Sequence, residues 1–158
     1  MTITELEPVN SRDRILEEKL NDPERPLPKV ILTPWELNAE GAISETPAVP
    51  LGNPNFPAQL FSIELPDGTE VGNFALQEPD ASHRFIKTIK LHDPYLHQGY
   101  GTATYLEILK SLPEGVQLRT EGRLNHDSFK IWQKLVSIGL AERSEESGSA
   151  ARFETTLP

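Results

Sequence analysis

Cysteine is absent from the sequence. That excludes disulfides, a thiolate nucleophile and any cysteine-based zinc site, and it is compatible with a reducing cytosol. No run approaches the length of about eighteen apolar residues that a membrane span requires. The start, Met1-Thr2-Ile3-Thr4-Glu5-Leu6-Glu7, lacks the basic and apolar regions of a signal peptide. A soluble cytoplasmic protein is expected. Positive charge is also scarce, with 15 Lys and Arg against 24 Asp and Glu and a formal net charge of -9. This argues against general nucleic-acid or membrane binding, because both depend on Lys and Arg to neutralise phosphate. It mildly favours a cationic partner. His83, His92, His97 and His126 show no metal-ligand spacing, the carboxylates form no calcium loop, and no nucleophile elbow is present. No metal site is predicted.

What is there fits one domain able to bury a core: 158 residues, 37% hydrophobic, with two Trp and six Phe. We divide the chain into an N-terminal segment over 1–27 and a domain over 28–158, with a Pro-rich connection over 34–57. A short helix is expected over 11–20, with Leu16 and Leu20 on one face, docking loosely or fraying. After Pro23, Pro26 and Pro28, residues 29–33 read as a short buried strand. The connection allows at most one short helix, around 35–39, and Trp35 and Phe56 read as buried anchors tacking it to the core ahead of the alternative, lid or pocket aromatics. Strands over 59–65 and 71–76 flank Pro66-Asp67-Gly68-Thr69, a hairpin signal. A strand over 84–91 extends the meander. Further strands are expected over 116–120, from 140 and over 151–157, with a helix over 125–138 opened by Asn125 and ended by Gly139.

The stretch 86–109 carries the chemistry. It reads as a strand, a glycine-bearing turn and a helix of good helix formers. The first amides of a helix have no carbonyl partner within it, and the aligned peptide dipoles leave partial positive charge there, so an anion is favoured. Gly99 and Gly101 let a phosphate approach the backbone, and Ala103 keeps the next turn uncrowded. Residues 83–106 hold Arg84, Lys87 and Lys90 against Asp93 alone, a local reversal of the overall charge.

Residues 98–103 read Gln-x-x-Gly-x-Ala. This resembles the pyrophosphate signature of the GNAT superfamily of N-acyltransferases, and the order of elements around it resembles the family over about 58–157. The resemblance implies one α/β domain of the α+β type, with a central mixed, mostly antiparallel sheet and helices on both faces. It implies acetyl-CoA, or another acyl-CoA, as co-substrate and a small-molecule or peptide amine as acceptor. The pyrophosphate would lie on Gln98, Gly99, Tyr100, Gly101, Thr102 and Ala103. The pantetheine arm would lie along Ile89, Lys90 and Leu91, where a splayed strand would leave an amide for the thioester carbonyl. Asn125, Ser128 and Trp132 fall on a second family motif, with Trp132 where the family has the Tyr that protonates the departing thiolate. Indole N–H donates a hydrogen bond but does not transfer a proton. Another Tyr (Tyr95, Tyr100 or Tyr105), water, or unassisted departure remains for that step. For the base, Glu121, His92, His83 and Glu78 are candidates. A homodimer is left open. The alternative is a catalytically silent acyl-CoA-binding or protein-interaction module on the same fold.

Overall fold

The computed structural model describes residues 11–21, 23–24, 26–35, 58–120, 124–145 and 151–158. Most of the Pro-rich connection, with Phe56 and the short helix expected there, lies outside the described residues. So do Glu121 and most of the polar turn before the last strand.

Helix α1 spans Ser11–Leu20, α2 Tyr100–Ser111 and α3 His126–Ser137. The strands are β1 Ile31–Pro34, β2 Ala58–Glu64, β3 Glu70–Asp80, β4 His83–Leu91, β5 Gln117–Leu118, β6 Ala141–Glu145 and β7 Ala151–Thr155. The first five form a sheet in the order β1-β2-β3-β4-β5, antiparallel except for the parallel pair β4 and β5. The β6–β7 hairpin continues past β5 through a bridge between Arg119 and Glu154 and a bond of 3.0 Å from the Thr120 amide to the Phe153 carbonyl. The mixed, mostly antiparallel sheet expected from sequence is present.

Local chemistry explains these elements. Asp67-Gly68 turns β2 into β3, with the Leu65 amide donating to the Thr69 carbonyl at 2.8 Å and the Asp67 carboxylate accepting from the Thr69 amide at 2.9 Å. Phe61 and Phe74, opposite one another on β2 and β3, stack with centroids 4.8 Å apart. Pro113 follows closely on the end of α2, and Leu112 before it is extended, as a residue preceding proline prefers. All three helices and both sheets contribute to one apolar core, with Leu16, Phe74, Leu109, Trp132, Leu135 and Phe153 almost fully buried.

Two expectations are corrected. Helix α1 is held firmly: Leu16 and Leu20 are buried in the core. Arg12 donates to the carbonyls of Lys110 at 3.3 Å and Leu112 at 2.7 Å, so the thin apolar stripe is supplemented by a cation on the exposed carbonyls of another helix end. Strand β1 is not buried. It is the edge of the sheet, and Ile31 is 43% exposed. Trp35, just past β1, is an anchor as expected, its amide donating to the Leu60 carbonyl and its indole N–H to Ser62 Oγ at 2.8 Å.

Candidate active site

Strand β4 is paired with β3 along its length but with β5 only at His83 and Arg84. There the Gln117 amide donates to the Ser82 carbonyl and the Arg119 amide to the Arg84 carbonyl, each at 2.9 Å. Beyond Arg84 no described strand pairs with this edge. The register shows why the strands part: Ala75 opposes Thr88 while Leu76 opposes Ile86, leaving Lys87 as an extra residue, and such a bulge bends its strand and ends pairing. After the bulge, the His92 amide donates to the Val71 carbonyl of β3 at 2.8 Å. Alternation along the strand then turns the N–H and C=O of Ile89 and Leu91 to the open side.

That open edge faces a cavity of about 180 Å³. Ile89, Lys90 and Leu91 form its sheet wall, Gly101 and Tyr105 of α2 one helix wall, and Asn125, Asp127, Ser128 and Ile131 the other, with Leu96 from the turn after β4. Two helix N-termini therefore meet a strand edge that no described strand pairs.

The turn into α2 is built for exposed amides. Gly99 stands at φ 90°, a left-handed conformation that side chains disfavour, and caps the helix through backbone alone. The Ala103 amide, donating to the Gly99 carbonyl at 2.9 Å, makes the first helical bond, which leaves the amides of Tyr100, Gly101 and Thr102 without helical partners. At Gly101 a Cβ would lie 3.3 Å from Ile131 Cδ1 and 3.9 Å from Leu91 Cδ1. Its absence keeps open the gap between α2, α3 and β4.

The remaining sequence candidates divide by position. Gln98 donates to the Pro94 carbonyl at 2.5 Å, closing the turn on itself. Tyr100 stands edge-on to Tyr95, centroids 5.4 Å apart. Thr102 is half-buried, and Ala103 is buried beneath the turn. Asn125 caps α3, its Oδ1 accepting from the Ser128 amide at 2.7 Å, and it also lines the cavity. Trp132 lies behind Tyr105 in the core and does not line the cavity. Tyr105 is 1% exposed and does line it. Burial pushes its phenol pKa up, against smaller opposing effects of hydrogen bonds with Ser128 and Trp132.

Among the base candidates, His92 faces Glu70, with 3.6 Å between Nε2 and the carboxylate, and is not a cavity residue. Glu70 in turn accepts from Ser62 Oγ at 2.8 Å. His83 lies at the closed end of β4 between Asp80 at 3.0 Å and Glu154 at 3.3 Å, and Glu78 faces Arg84 at 3.7 Å. The cavity thus gathers Ile89, Lys90, Leu91, Gly101, Tyr105, Asn125 and Ser128 but neither described histidine candidate. Leu96, Asp127 and Ile131 were missed in sequence. Asp127 and Ile131 are four apart on the face of α3 that begins at its cap, a spacing that could have found them.

Among the described residues no group of three His, Asp or Glu side chains is placed to hold a metal, and no helix is long and apolar enough to cross a membrane.

No protein-family model and no curated protein matches the chain. Among solved structures it is similar in fold to a GNAT family acetyltransferase from Elizabethkingia anophelis with acetyl-CoA bound: 14% identity, TM-score 0.49, 82% of this chain and 97% of that one. It is also similar to an acetyltransferase from Thermus thermophilus: 15% identity, TM-score 0.47, 64% of each chain. The match therefore spans less than two thirds of the Thermus chain.

Proposed function

We propose that the protein transfers an acyl group from acyl-CoA to an amine. The observation that carries this reading is the edge of β4 past the Lys87 bulge, unpaired among the described residues and facing a cavity into which the N-termini of α2 and α3 open. Pantetheine contains peptide-like amides that an extended strand edge can pair with, and a pyrophosphate suits the free amides at the start of α2. In this reading Ile89 and Leu91 hold the arm by backbone, and the amides of residues 100–102 take the pyrophosphate. An unpaired backbone N–H near the bulge polarises the thioester carbonyl as negative charge develops on its oxygen. Acetyl is the acyl group proposed. The acceptor is an unidentified amine. We place the work in the cytoplasm, in keeping with a cysteine-free chain.

One observation favours a second reading, a silent acyl-CoA-binding module: the side chain at the family's phenol position is the buried indole of Trp132. A screen of amines against acetyl-CoA, detecting released CoA thiol, decides between the two. Turnover supports the enzyme, saturable acetyl-CoA binding without turnover supports the module, and no binding at millimolar acetyl-CoA rejects both.

A further inference from the structure

Tyr105 combines two properties that rarely occur together: it is 1% exposed, and it lines a cavity that opens to solvent. A buried phenol needs polar neighbours to replace water, and here these are Ser128, which lines the same cavity, and Trp132, whose ring packs against it. The indole ring of Trp132 stands edge-on to the phenol ring, centroids 6.1 Å apart and planes at 88°. An indole N–H only donates. Toward an indole the phenol oxygen can only accept, which leaves its own proton for the Ser128 hydroxyl or for the cavity. The same cavity is lined by Ile89, Lys90 and Leu91 of the β4 edge. Tyr95 and Tyr100 pair with each other outside this space.

We propose that Tyr105 is the catalytic proton donor to the departing thiolate, with Trp132 and Ser128 as positioning residues, a role that rests on the acyl-CoA reading above. The attacking nitrogen forms its bond to the thioester carbonyl carbon. The C–S bond then breaks, with its electron pair going to sulfur. The Tyr105 O–H proton moves to that sulfur and gives the free thiol, while the indole N–H and the Ser128 hydroxyl hold the transient phenolate. The phenolate regains a proton through water, balancing the one the amine sheds in becoming an amide. The sum is amine plus acyl-CoA to amide plus CoA thiol. Trp132, which cannot itself give up a proton, thus acts through a phenol supplied by the neighbouring helix.

The test compares binding of CoA and of desulfo-CoA, which lacks the sulfur, by titration calorimetry at about pH 7 and about pH 9.5, the latter above the free-thiol pKa of about 8.5. Wild type is expected to prefer CoA over desulfo-CoA by about tenfold at the higher pH, because a hydrogen bond to a charged acceptor is worth at least that much. Tyr105→Phe should lose the preference while binding desulfo-CoA as wild type does. With a substrate amine in hand, the same variant should lower kcat about 100-fold at unchanged KM. If Tyr105→Phe does not fold, Trp132→Phe, which keeps an aromatic ring in place and takes the indole N–H from the phenol, should reduce the preference about threefold. A preference that persists in the variant overturns the proposal, as does its absence from a wild type that binds both ligands. A wild type that binds neither ligand rejects the acyl-CoA reading itself, and this role with it.

Discussion

The indole of Trp132 is stacked on the ring of Phe153, centroids 5.6 Å apart and planes 23° apart, and is 1% exposed. The contact joins α3 to β7, so this residue closes the core between a helix and the last hairpin. Trp132→Ala should reduce stability by about 3 to 5 kcal/mol, the usual consequence of truncating a buried large aromatic. Trp132→Phe keeps an aromatic on Phe153 and should lose much less. Equilibrium urea unfolding of both variants checks this, and a Trp132→Ala loss below about 1 kcal/mol would remove the assignment to the core.

Arg12 ties α1 to the far end of α2. Its guanidinium donates to the Lys110 and Leu112 carbonyls, where the helix leaves acceptors without partners, and its side chain is 13% exposed. Arg12→Met keeps much of the apolar stem and removes the charge-assisted bonds, and should destabilise by about 1.5 to 3 kcal/mol. Hydrogen exchange should show faster opening of α1 than of β3. Unchanged exchange in α1 would mean that Leu16 and Leu20, with the Glu17–Lys110 pair and the Lys19 bond to the Ile138 carbonyl, hold the helix without Arg12.

These two residues mark where sequence reading succeeds and where it stops. The glycine turn, the Asn125 cap and the Asp67-Gly68 hairpin are local devices, legible because the chemistry lies within a few residues. The firm docking of α1 was not legible, because Arg12 finds its carbonyls about a hundred positions away and nothing in the local pattern announces them. In the cavity, Asn125 and Tyr105 stand on separate helices, and their meeting depends on β5 leaving the edge of β4 after Arg84. A one-residue bulge shifts the alternation by one place, and the few apolar residues on either side of Lys87, with Phe85 and Ile86 adjacent, do not fix where the shift falls. Glu121, proposed from its place after a strand, lies outside the described residues.

Tyr105 also carries a pH signature. Burial raises its phenol pKa above the free value of 10.0, with hydrogen bonds to Ser128 and Trp132 opposing but not cancelling the rise. In the unfolded chain the phenol ionises from that free value upward, while in the folded chain it stays protonated. Folding therefore retains a proton that unfolding releases, and stability is whole below pH 10.0 and falls as pH rises toward the higher folded value. Tyr105→Phe has no such proton. The difference in melting temperature between wild type and variant should be constant from neutral pH to about pH 9 and should shift in the variant's favour above about pH 10. A constant difference throughout would mean the phenol is not desolvated in the folded state.

The open edge of β4 allows a test by backbone rather than side chain. By alternation from the His92–Val71 bond, the Ile89 N–H faces away from β3 and toward the cavity. Proline at such a position removes an amide that no ladder bond among the described residues uses, and proline is tolerated on strand edges for that reason. Ile89→Pro should therefore keep the β3–β4 pairing and fold. Ile89→Ala removes the side chain that lines the cavity but leaves the N–H. If pantetheine pairs with this strand, Ile89→Pro should bind CoA more weakly than Ile89→Ala by about fivefold, the equivalent of one net hydrogen bond of about 1 kcal/mol. Calorimetric titration of the two variants reads that ratio. Equal affinities would place the arm away from the Ile89 amide, and the role of the parted strand would then have to be one of shape alone.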